Sequence, residues 1–135
     1  MKVLFVCTGN TCRSPMAQAL FQQKYPEASV RSAGLAARAG EPAARPARQV
    51  MRARGLSLES HRSVPLEDEL LAWADRVLVM SQRHHQAIAA RWPEYLAKVE
   101  SLKPGGSVAD PYGGDLTEYA RCADELGKLV DQLDL

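Results

Sequence analysis

The stretch VLFVCTGNTCRSPMAQAL, residues 3–20, connects an apolar run to a helical pattern through a short polar loop. The run at residues 3–6 is typical of a strand that is buried on both faces of a parallel sheet. Ser14 and Pro15 then predict the N-cap and the first residue of a helix that ends before Pro26. The inward face of this helix would be formed by Met16, Ala19, Leu20 and Phe21. The chain therefore opens with a strand, a loop and a helix.

The same alternation of strands and helices continues to the end of the chain. Further strands are predicted at residues 28–34, 76–80 and 98–102. Further helices are predicted at residues 46–54, 65–74, 81–92 and 116–133. Ser81 would open one of these helices, and Asp115 with Glu118 resembles a capping box for the last one. We therefore expect one domain, residues 1–135, with a three-layer α/β fold in which helices cover both faces of a small four-stranded parallel sheet.

Composition argues against several classes of function. The 135 residues are 46% hydrophobic and 24% charged with a formal net charge of +1, which argues against a surface for nucleic acid. The first apolar run is too short for a signal peptide or a membrane span, so we expect a cytoplasmic protein without membrane contact. Three cysteines are an odd number and fit free thiols in a reducing compartment. We also expect a monomer.

A second polar loop is predicted near the end of the chain. Residues 103–115, KPGGSVADPYGGD, contain two prolines and four glycines, so they predict a long loop that includes Asp110. Ligands of doubly wound sheets bind beyond the carboxyl ends of the strands, and the loop after the first strand also falls there.

The loop that begins at Cys7 has the features of a phosphate-binding site. A turn from a buried strand into a helix N-terminus directs backbone N–H groups and the positive end of the helix dipole at one point. Gly9 and Asn10 tolerate the unusual backbone angles that such a turn needs. Arg13 offers a planar fork of donors to two phosphate oxygens, and Cys7 would face the phosphorus. The same donors, with the Ser14 hydroxyl, favour a thiolate at Cys7.

Residues 7–15, CTGNTCRSP, resemble the signature loop of the low-molecular-weight protein-tyrosine phosphatase family. Other landmarks of that family follow in order: SAG at residues 32–34, ADRVLVM at 74–80 and DPYGG at 110–114. The resemblance covers essentially the whole chain. The nine-residue loop with a downstream Asp-Pro is much more specific than a cysteine and an arginine separated by five residues.

The resemblance implies a two-step phosphatase reaction that needs neither a metal nor another cofactor. Cys7 would attack phosphorus in line to form phosphocysteine, which water then hydrolyses. Arg13 and the loop amides would stabilise the equatorial oxygens. Asp110 would protonate the leaving group and then, as a carboxylate, activate the water.

The resemblance also implies supporting residues and a class of partner. Asn10 and Ser32 would brace the loop by hydrogen bonds, and Ser14 would ease the departure of the thiolate. The partners would be phosphorylated proteins. Their phosphorylated side chain would be bound by Thr8, Gly9, Asn10, Thr11, Cys12, Ser14 and Tyr112.

Two positions favour phosphoarginine over phosphotyrosine as the substrate. In the tyrosine-specific branch of the family, a bulkier aliphatic residue usually stands at Thr11 and a second aromatic residue at Gly113. This sequence looks more like the bacterial protein-arginine phosphatase branch, because a small polar residue leaves room for a planar guanidinium that Asp110 could pair with. Tyr112 departs from the phenylalanine often found in that branch. A phosphotyrosine phosphatase therefore remains the alternative.

Two other classes of function remain open. A thioredoxin-coupled arsenate reductase uses a similar anion loop, but it needs a further cysteine pair at about residues 75–95, where this sequence has none. Cys122 stands alone in the last predicted helix and is expected to pack rather than react. A noncatalytic anion-binding module would give no reason for Cys7 and Asp110 to coexist.

The other cysteine and the histidines carry further predictions. Two interpretations of Cys12 stay open: a small residue of the loop, or, because it is close to Cys7 in sequence, the partner in a reversible disulfide that protects the nucleophile. A zinc site is not expected, because structural zinc needs four converging ligands. His84 and His85 point in different directions on a helix and predict a solvated or half-buried face. His61 is expected to be structural, within reach of the loop.

Overall fold

The computed structural model describes residues 1–134, in which strands alternate with helices. The strands are β1 (Lys2–Cys7), β2 (Ser29–Gly34), β3 (Arg76–Val79) and β4 (Val99–Ser101). The α-helices are α1 (Arg13–Lys24), α2 (Arg45–Ala53), α3 (Asp68–Trp73), α4 (Gln82–Arg91) and α5 (Leu116–Asp131). The strands pair in parallel in the order β2, β1, β3, β4. The predicted α/β fold with a four-stranded parallel sheet is confirmed.

The residues of β1 alternate between two apolar cores, one on each face of the sheet. Val3 and Phe5 pack with buried residues of α1, α2 and α5. Leu4 and Val6 pack with buried residues of α3 and α4. Successive side chains of a strand point to opposite faces, so a strand covered on both sides must be apolar throughout. The apolar run therefore becomes a central strand, and the molecule has three layers.

Helix α1 begins at Arg13, two residues before the predicted start at Pro15. Cys12 occupies the N-cap position and makes no hydrogen bond from its side chain to the helix end. The prediction that Ser14 is the N-cap is wrong, because its hydroxyl bonds to side chains of the preceding loop. Pro15 still fits within the first turn, where backbone N–H groups have no helical partner.

Two of the predicted buried faces need correction. In α1, Phe21 is fully buried with its ring edge-to-face against Phe5 at 5.6 Å, whereas Ala19 and Leu20 are only partly buried. In α5, Leu116 is 50% exposed although its spacing predicted an inward position. Leu116 is the first residue of α5 and lies beyond the edge of the core. The periodicity of apolar residues therefore predicted the buried face of each helix, but not which residue at its edge is buried.

The predicted caps of two helices are confirmed. Asp115 Oδ1 accepts a hydrogen bond from Glu118 N at 3.0 Å at the start of α5. Ser81 Oγ accepts one from His84 N at 3.3 Å at the start of α4. A 3₁₀ helix at Pro93–Lys98, between α4 and β4, was not predicted. Local side-chain chemistry identified the caps, whereas the 3₁₀ helix has no such signal.

The loop predicted at residues 103–115 contains only turns and bends. Val108 anchors it, because its side chain is buried and its N–H donates to Met80 O at 2.7 Å, just after β3. This anchor brings Asp110 to the end of the sheet where the loop after β1 also lies. Within residues 1–134, each helix is too short or too polar to span a bilayer.

Gly34 ends β2 where that strand comes closest to the loop after β1. A Cβ at this position would lie 2.5 Å from the carbonyl oxygen of Thr8 and 2.9 Å from the backbone nitrogen of Asn10. Gly34 is itself held in place, since its N–H donates to Val64 O at 2.9 Å and its carbonyl accepts from Leu66 N at 2.8 Å. A side chain here would therefore have to displace backbone on one side or the other.

We predict that Gly34→Ala lowers the free energy of unfolding by about 2–3 kcal/mol, because the added methyl group overlaps backbone atoms of the loop. Gly127→Ala, in α5, is the matched control: nothing lies within 4 Å of the added Cβ. It should raise stability by about 0.5–1 kcal/mol through helix propensity. Urea denaturation followed by circular dichroism measures both changes. A Gly34→Ala protein as stable as the natural one would contradict the close approach.

Candidate active site

The loop after β1 is fixed through its carbonyl groups. Three of them accept hydrogen bonds at 2.9 to 3.0 Å from backbone N–H groups of neighbouring segments; the pairs are Cys7 with Leu35, Thr8 with Ala36, and Thr11 with Ala44. The described peptide bonds are all trans, so the N–H of each peptide unit points opposite to its carbonyl. The N–H groups of Thr8, Gly9 and Cys12 therefore point away from those segments, toward the inside of the loop. This arrangement suits an anion.

Cys7 lies at the end of β1, where the loop closes over its sulfur. Asn10 N donates to Cys7 Sγ at 3.3 Å, and Ser14 Oγ lies 2.9 Å from the same sulfur. Ser14 Oγ already accepts a hydrogen bond from Asn10 Nδ2 at 2.8 Å, so its own proton is free to point at Cys7. Both contacts stabilise negative charge on the sulfur.

The side chain of Asn10 connects the loop to the surrounding elements. Its Nδ2 donates to Ser14 Oγ and, at 2.9 Å, to Ser32 Oγ, while its Oδ1 accepts from Val64 N at 2.9 Å. Ser32 Oγ in turn donates to Gln18 Oε1 at 2.6 Å. Asn10 has a φ of +57°, a left-handed conformation that asparagine tolerates better than most residues. The structure thus brings Asn10 and Ser32 together, as the family resemblance implied.

Arg13 is buried, with only 5% of its surface exposed. Its Nη1 donates to the carbonyl of Val108 at 2.9 Å, and its Nη2 lies 3.5 Å from Thr8 Oγ1 and 3.5 Å from Asp110 Oδ2. The side chain of Asp110 is half exposed. A buried guanidinium held by neutral oxygens and one half-exposed carboxylate keeps positive charge available for an anion.

A cavity of about 480 Å³ lies over the loop and contains most of the predicted site residues. Those that line it are Cys7, Thr8, Gly9, Thr11, Cys12, Arg13, Asp110 and Tyr112. Asn10, Ser14 and Ser32 do not line it; they are buried behind the loop and hold it in place. A larger groove of about 550 Å³ lies elsewhere, between α1 and the segment after α2, and none of Cys7, Arg13 and Asp110 lines it. The residues that the sequence predicts to be catalytic therefore meet at the smaller cavity.

Comparison with known proteins agrees with this geometry. The sequence profile of the family described as low molecular weight phosphotyrosine protein phosphatase matches residues 2–134. The chain belongs to this family. It is therefore a phosphatase of the low-molecular-weight class, a hydrolase that acts on phosphoproteins.

Its relatives include enzymes named for two different substrates. A protein-arginine-phosphatase from Geobacillus stearothermophilus is 43% identical, over 98% of this chain and 93% of the relative. A probable low molecular weight protein-tyrosine-phosphatase, EpsP, from Ralstonia nicotianae is 40% identical, over 96% of this chain and 90% of the relative. A solved structure of the arginine phosphatase YwlE, a cysteine-to-serine mutant with a phosphorylated active-site serine, superposes with a TM-score of 0.94 at 41% identity, over 98% of this chain and 92% of that one.

The three cysteines of this low-molecular-weight phosphatase are all reduced and buried, but their surroundings differ. Cys12 Sγ lies 3.3 Å from the hydroxyl of Tyr119, and burial raises the pKa of the Cys12 thiol. Burial raises the pKa of Cys122 to about 12, in keeping with the packing role predicted for it. A disulfide between Cys7 and Cys12 stays a prediction. Within residues 1–134, His, Cys, Asp and Glu form no cluster of three that could hold a metal ion.

His84 contacts the loop of the candidate site, although the sequence predicted a solvated or half-buried position for it. It is 5% exposed, with Nε2 at 2.8 Å from Thr8 Oγ1 and Nδ1 at 3.0 Å from Ser81 Oγ. Burial, and then the charge of Arg13, lower the pKa of His84 to about 4. No local signal in the sequence predicted this contact; it follows from the pairing of β3 with β1 in the sheet, which places the first turn of the helix after β3 beside the loop.

His61 also contacts the loop, as the sequence analysis allowed. Its Nε2 lies 2.7 Å from the backbone carbonyl oxygen of Asn10, and burial lowers the pKa of His61. This bond occupies one more loop carbonyl from outside, so the N–H of Thr11, in the same peptide unit, points the opposite way. His61 therefore supports the loop from behind and does not line the cavity.

We predict that the free energy of unfolding depends less on pH in the His84→Gln protein than in the natural protein, between about pH 7.5 and pH 4.5. The folded-state pKa of about 4 lies below the ordinary value of 6.5, so the unfolded chain binds more protons between these values and the natural protein loses stability as pH falls. The natural protein should lose about 2–3 kcal/mol more than the variant over this range.

The measurement is chemical denaturation of both proteins at the two pH values. His85→Gln is the matched control, because the side chain of His85 is partly exposed and makes no hydrogen bond within residues 1–134. An identical pH dependence for the natural protein and the His84→Gln protein would show that His84 is not buried in the neutral state.

Proposed function

We propose that the chain is a protein-arginine phosphatase that acts through a phosphocysteine intermediate. The observation that carries the proposal is the meeting of three groups in one cavity: the Cys7 sulfur, the buried guanidinium of Arg13 and the half-exposed carboxylate of Asp110. The sulfur supplies a nucleophile, the guanidinium an anion partner, and the carboxylate a group that can exchange a proton with solvent.

In the first step, the phosphoryl group is transferred to sulfur. Cys7 Sγ attacks phosphorus as the bond from phosphorus to the guanidino nitrogen breaks, and Asp110 donates its proton to that leaving nitrogen. Arg13 and the inward N–H groups of the loop hold the three equatorial oxygens while charge builds on them. The products of this step are an unphosphorylated arginine residue in the substrate protein and phosphocysteine in the enzyme.

In the second step, water hydrolyses phosphocysteine. Asp110, now a carboxylate, accepts a proton from water as the water oxygen attacks phosphorus and the bond to Cys7 Sγ breaks. The sulfur leaves as a thiolate, and the Ser14 hydroxyl at 2.9 Å is placed to donate a hydrogen bond to it. Inorganic phosphate leaves, and Asp110 is protonated again for the next cycle.

The preference for phosphoarginine is supported by Thr11 and Asp110, which both line the cavity. Thr11 is small and polar, which leaves room for a planar guanidinium, and Asp110 offers it a carboxylate. The relative from Geobacillus is itself named a protein-arginine-phosphatase. Phosphotyrosine is the second candidate, because the Ralstonia relative is named for tyrosine and the ring of Tyr112 stands exposed at the cavity, where it could stack on a phenyl group.

An arsenate reductase is a poorer fit to this chain. Such an enzyme passes electrons along several reactive thiols, and a reactive thiol needs an accessible thiolate. Cys122 is buried with a pKa of about 12 and does not line the cavity. Cys12 is also buried, with its pKa raised. Cys7 would therefore lack a resolving partner on the final helix.

We predict that Cys7→Ser abolishes phosphatase turnover and that Asp110→Asn lowers kcat by about 100- to 10,000-fold, because it removes the proton donor and acceptor. Asp110→Asn should also slow hydrolysis of the intermediate, so protein quenched during turnover should carry one phosphoryl group on Cys7 by mass spectrometry. Cys122→Ser is the control that leaves turnover intact. Full activity of the Cys7→Ser protein would contradict a mechanism through phosphocysteine.

We predict that the enzyme cleaves a phosphoarginine peptide with a higher kcat/KM than the same peptide carrying phosphotyrosine. Thr11→Ile should shift the ratio of the two kcat/KM values toward phosphotyrosine, by about tenfold, because the larger side chain fills the space for the guanidinium. Thr117→Ile, the same change at an exposed position of α5, is the control. Faster cleavage of phosphotyrosine by the natural enzyme would reject phosphoarginine as the preferred substrate.

A further inference from the structure

Residues 38–41 form a turn that Ser63 clamps. Gly40 N donates to Ser63 O at 2.8 Å, Ser63 N donates to Glu41 O at 2.7 Å, and Glu41 N donates to Ser63 Oγ at 2.9 Å. The Ser63 hydroxyl also donates to the carbonyl of Arg38. Ser63 is buried, and Gly40 has a φ of +85° that glycine adopts without strain. The backbone of the turn is therefore fixed, although its side chains are exposed.

The turn presents two opposite charges to the cavity over the catalytic loop. Arg38 and Glu41 both line that cavity. Within residues 1–134, neither side chain makes an ion pair or a hydrogen bond. By contrast, Arg48 and Arg52 of the neighbouring helix α2 both pair with Glu59. The turn thus holds an unpaired cation and an unpaired anion at the cavity, and neither is needed for folding of the turn.

We propose that Glu41 is a specificity-determining residue that binds the guanidinium group of a phosphoarginine substrate. The proposal rests on the proposed function and adds a second carboxylate to it. The phosphoryl oxygens of phosphoarginine are negative, whereas its remaining guanidinium N–H groups are positive. Arg13 holds the negative end, and a carboxylate at the rim is a matched partner for the positive end.

Asp110 alone cannot both donate a proton to the leaving nitrogen and pair with the guanidinium group throughout the reaction. It must be protonated to donate to the leaving nitrogen, and a protonated carboxyl group pairs less strongly with a cation than a carboxylate does. Glu41 has no role in proton transfer, and its side chain makes no ion pair or hydrogen bond within residues 1–134. The phenyl group of phosphotyrosine is uncharged, so Glu41 would form no ion pair with that substrate.

Arg38 provides an internal comparison for this assignment. Its positive charge at the same cavity attracts the phosphoryl dianion whichever side chain carries it. Loss of Arg38 should therefore weaken the binding of phosphotyrosine at least as much as that of phosphoarginine, whose guanidinium Arg38 repels, whereas loss of Glu41 should weaken the binding of phosphoarginine selectively. The two residues lie on one clamped turn, so a general disturbance of the turn would affect the two variants in the same way.

The test measures kcat/KM for one peptide carrying either phosphoarginine or phosphotyrosine at the same position. Glu41→Gln keeps the size of the side chain and removes its charge. We expect it to lower the ratio of phosphoarginine to phosphotyrosine kcat/KM by about 3- to 10-fold, mainly through KM. The change should shrink as ionic strength rises, because the pair is exposed to solvent. Glu41→Asp should restore part of the ratio.

Two further variants control the experiment. Arg38→Gln should lower the kcat/KM for phosphotyrosine at least as much as that for phosphoarginine, so it should not lower the ratio of phosphoarginine to phosphotyrosine kcat/KM. Glu27→Gln, an exposed acidic residue that does not line the cavity, should change neither value. Thermal unfolding of all variants should match that of the natural protein, because no side chain of the turn is used in folding.

The outcomes separate this proposal from the proposed function. If the natural enzyme prefers phosphoarginine and Glu41→Gln leaves the ratio unchanged, the role of Glu41 is overturned and the function stands. If the natural enzyme prefers phosphotyrosine but Glu41→Gln still lowers phosphoarginine turnover selectively, the function is overturned and the role of Glu41 stands. Absence of any phosphoarginine turnover overturns both.

Discussion

The hydrogen bonds of the Asn10 side chain hold the loop after β1 in a conformation that an L-residue enters at a cost of about 1–2 kcal/mol. Three bonds offset that cost, and they reach three different places: Ser14 in α1, Ser32 in β2, and the backbone of Val64. The same residue donates its own N–H to the Cys7 sulfur. The position of the sulfur, the direction of the loop amides and the approach of β2 therefore depend on one another.

Charge in the site is positive at the floor and mixed at the rim, where Arg38 is exposed as well as two carboxylates. Arg13 is buried against neutral oxygens, and the histidine beside it, His84, is held neutral with its pKa near 4. The carboxylates of Asp110 and Glu41 remain exposed at the cavity. Buried N and O atoms of the described side chains all have hydrogen-bond partners, as expected for a well-formed interior. The phosphoryl group of the proposed substrate would therefore meet positive charge at the floor of the cavity.

Local chemistry explains which features the sequence predicted correctly. The strand at residues 3–6, the caps at Ser81 and Asp115, and the long loop with Asp110 each depend on neighbouring residues and fixed backbone rules. The meeting of Cys7, Arg13 and Asp110 also followed, through resemblance to a family loop. The start of α1 was wrong because the Ser14 hydroxyl serves the loop, and a one-dimensional pattern contains no competing partner for it.

The sequence by itself determined the order of strands and helices, the parallel sheet and the loop predicted to bind phosphate, because spacing and turn chemistry act over a few residues. Only the tertiary structure decided which distant groups support that loop. His84 lies 76 positions from Thr8 and Ser63 lies 22 positions from Glu41, yet each pair is in contact. Such contacts depend on the order of strands in the sheet and on the packing of turns against it, and no local pattern encodes either.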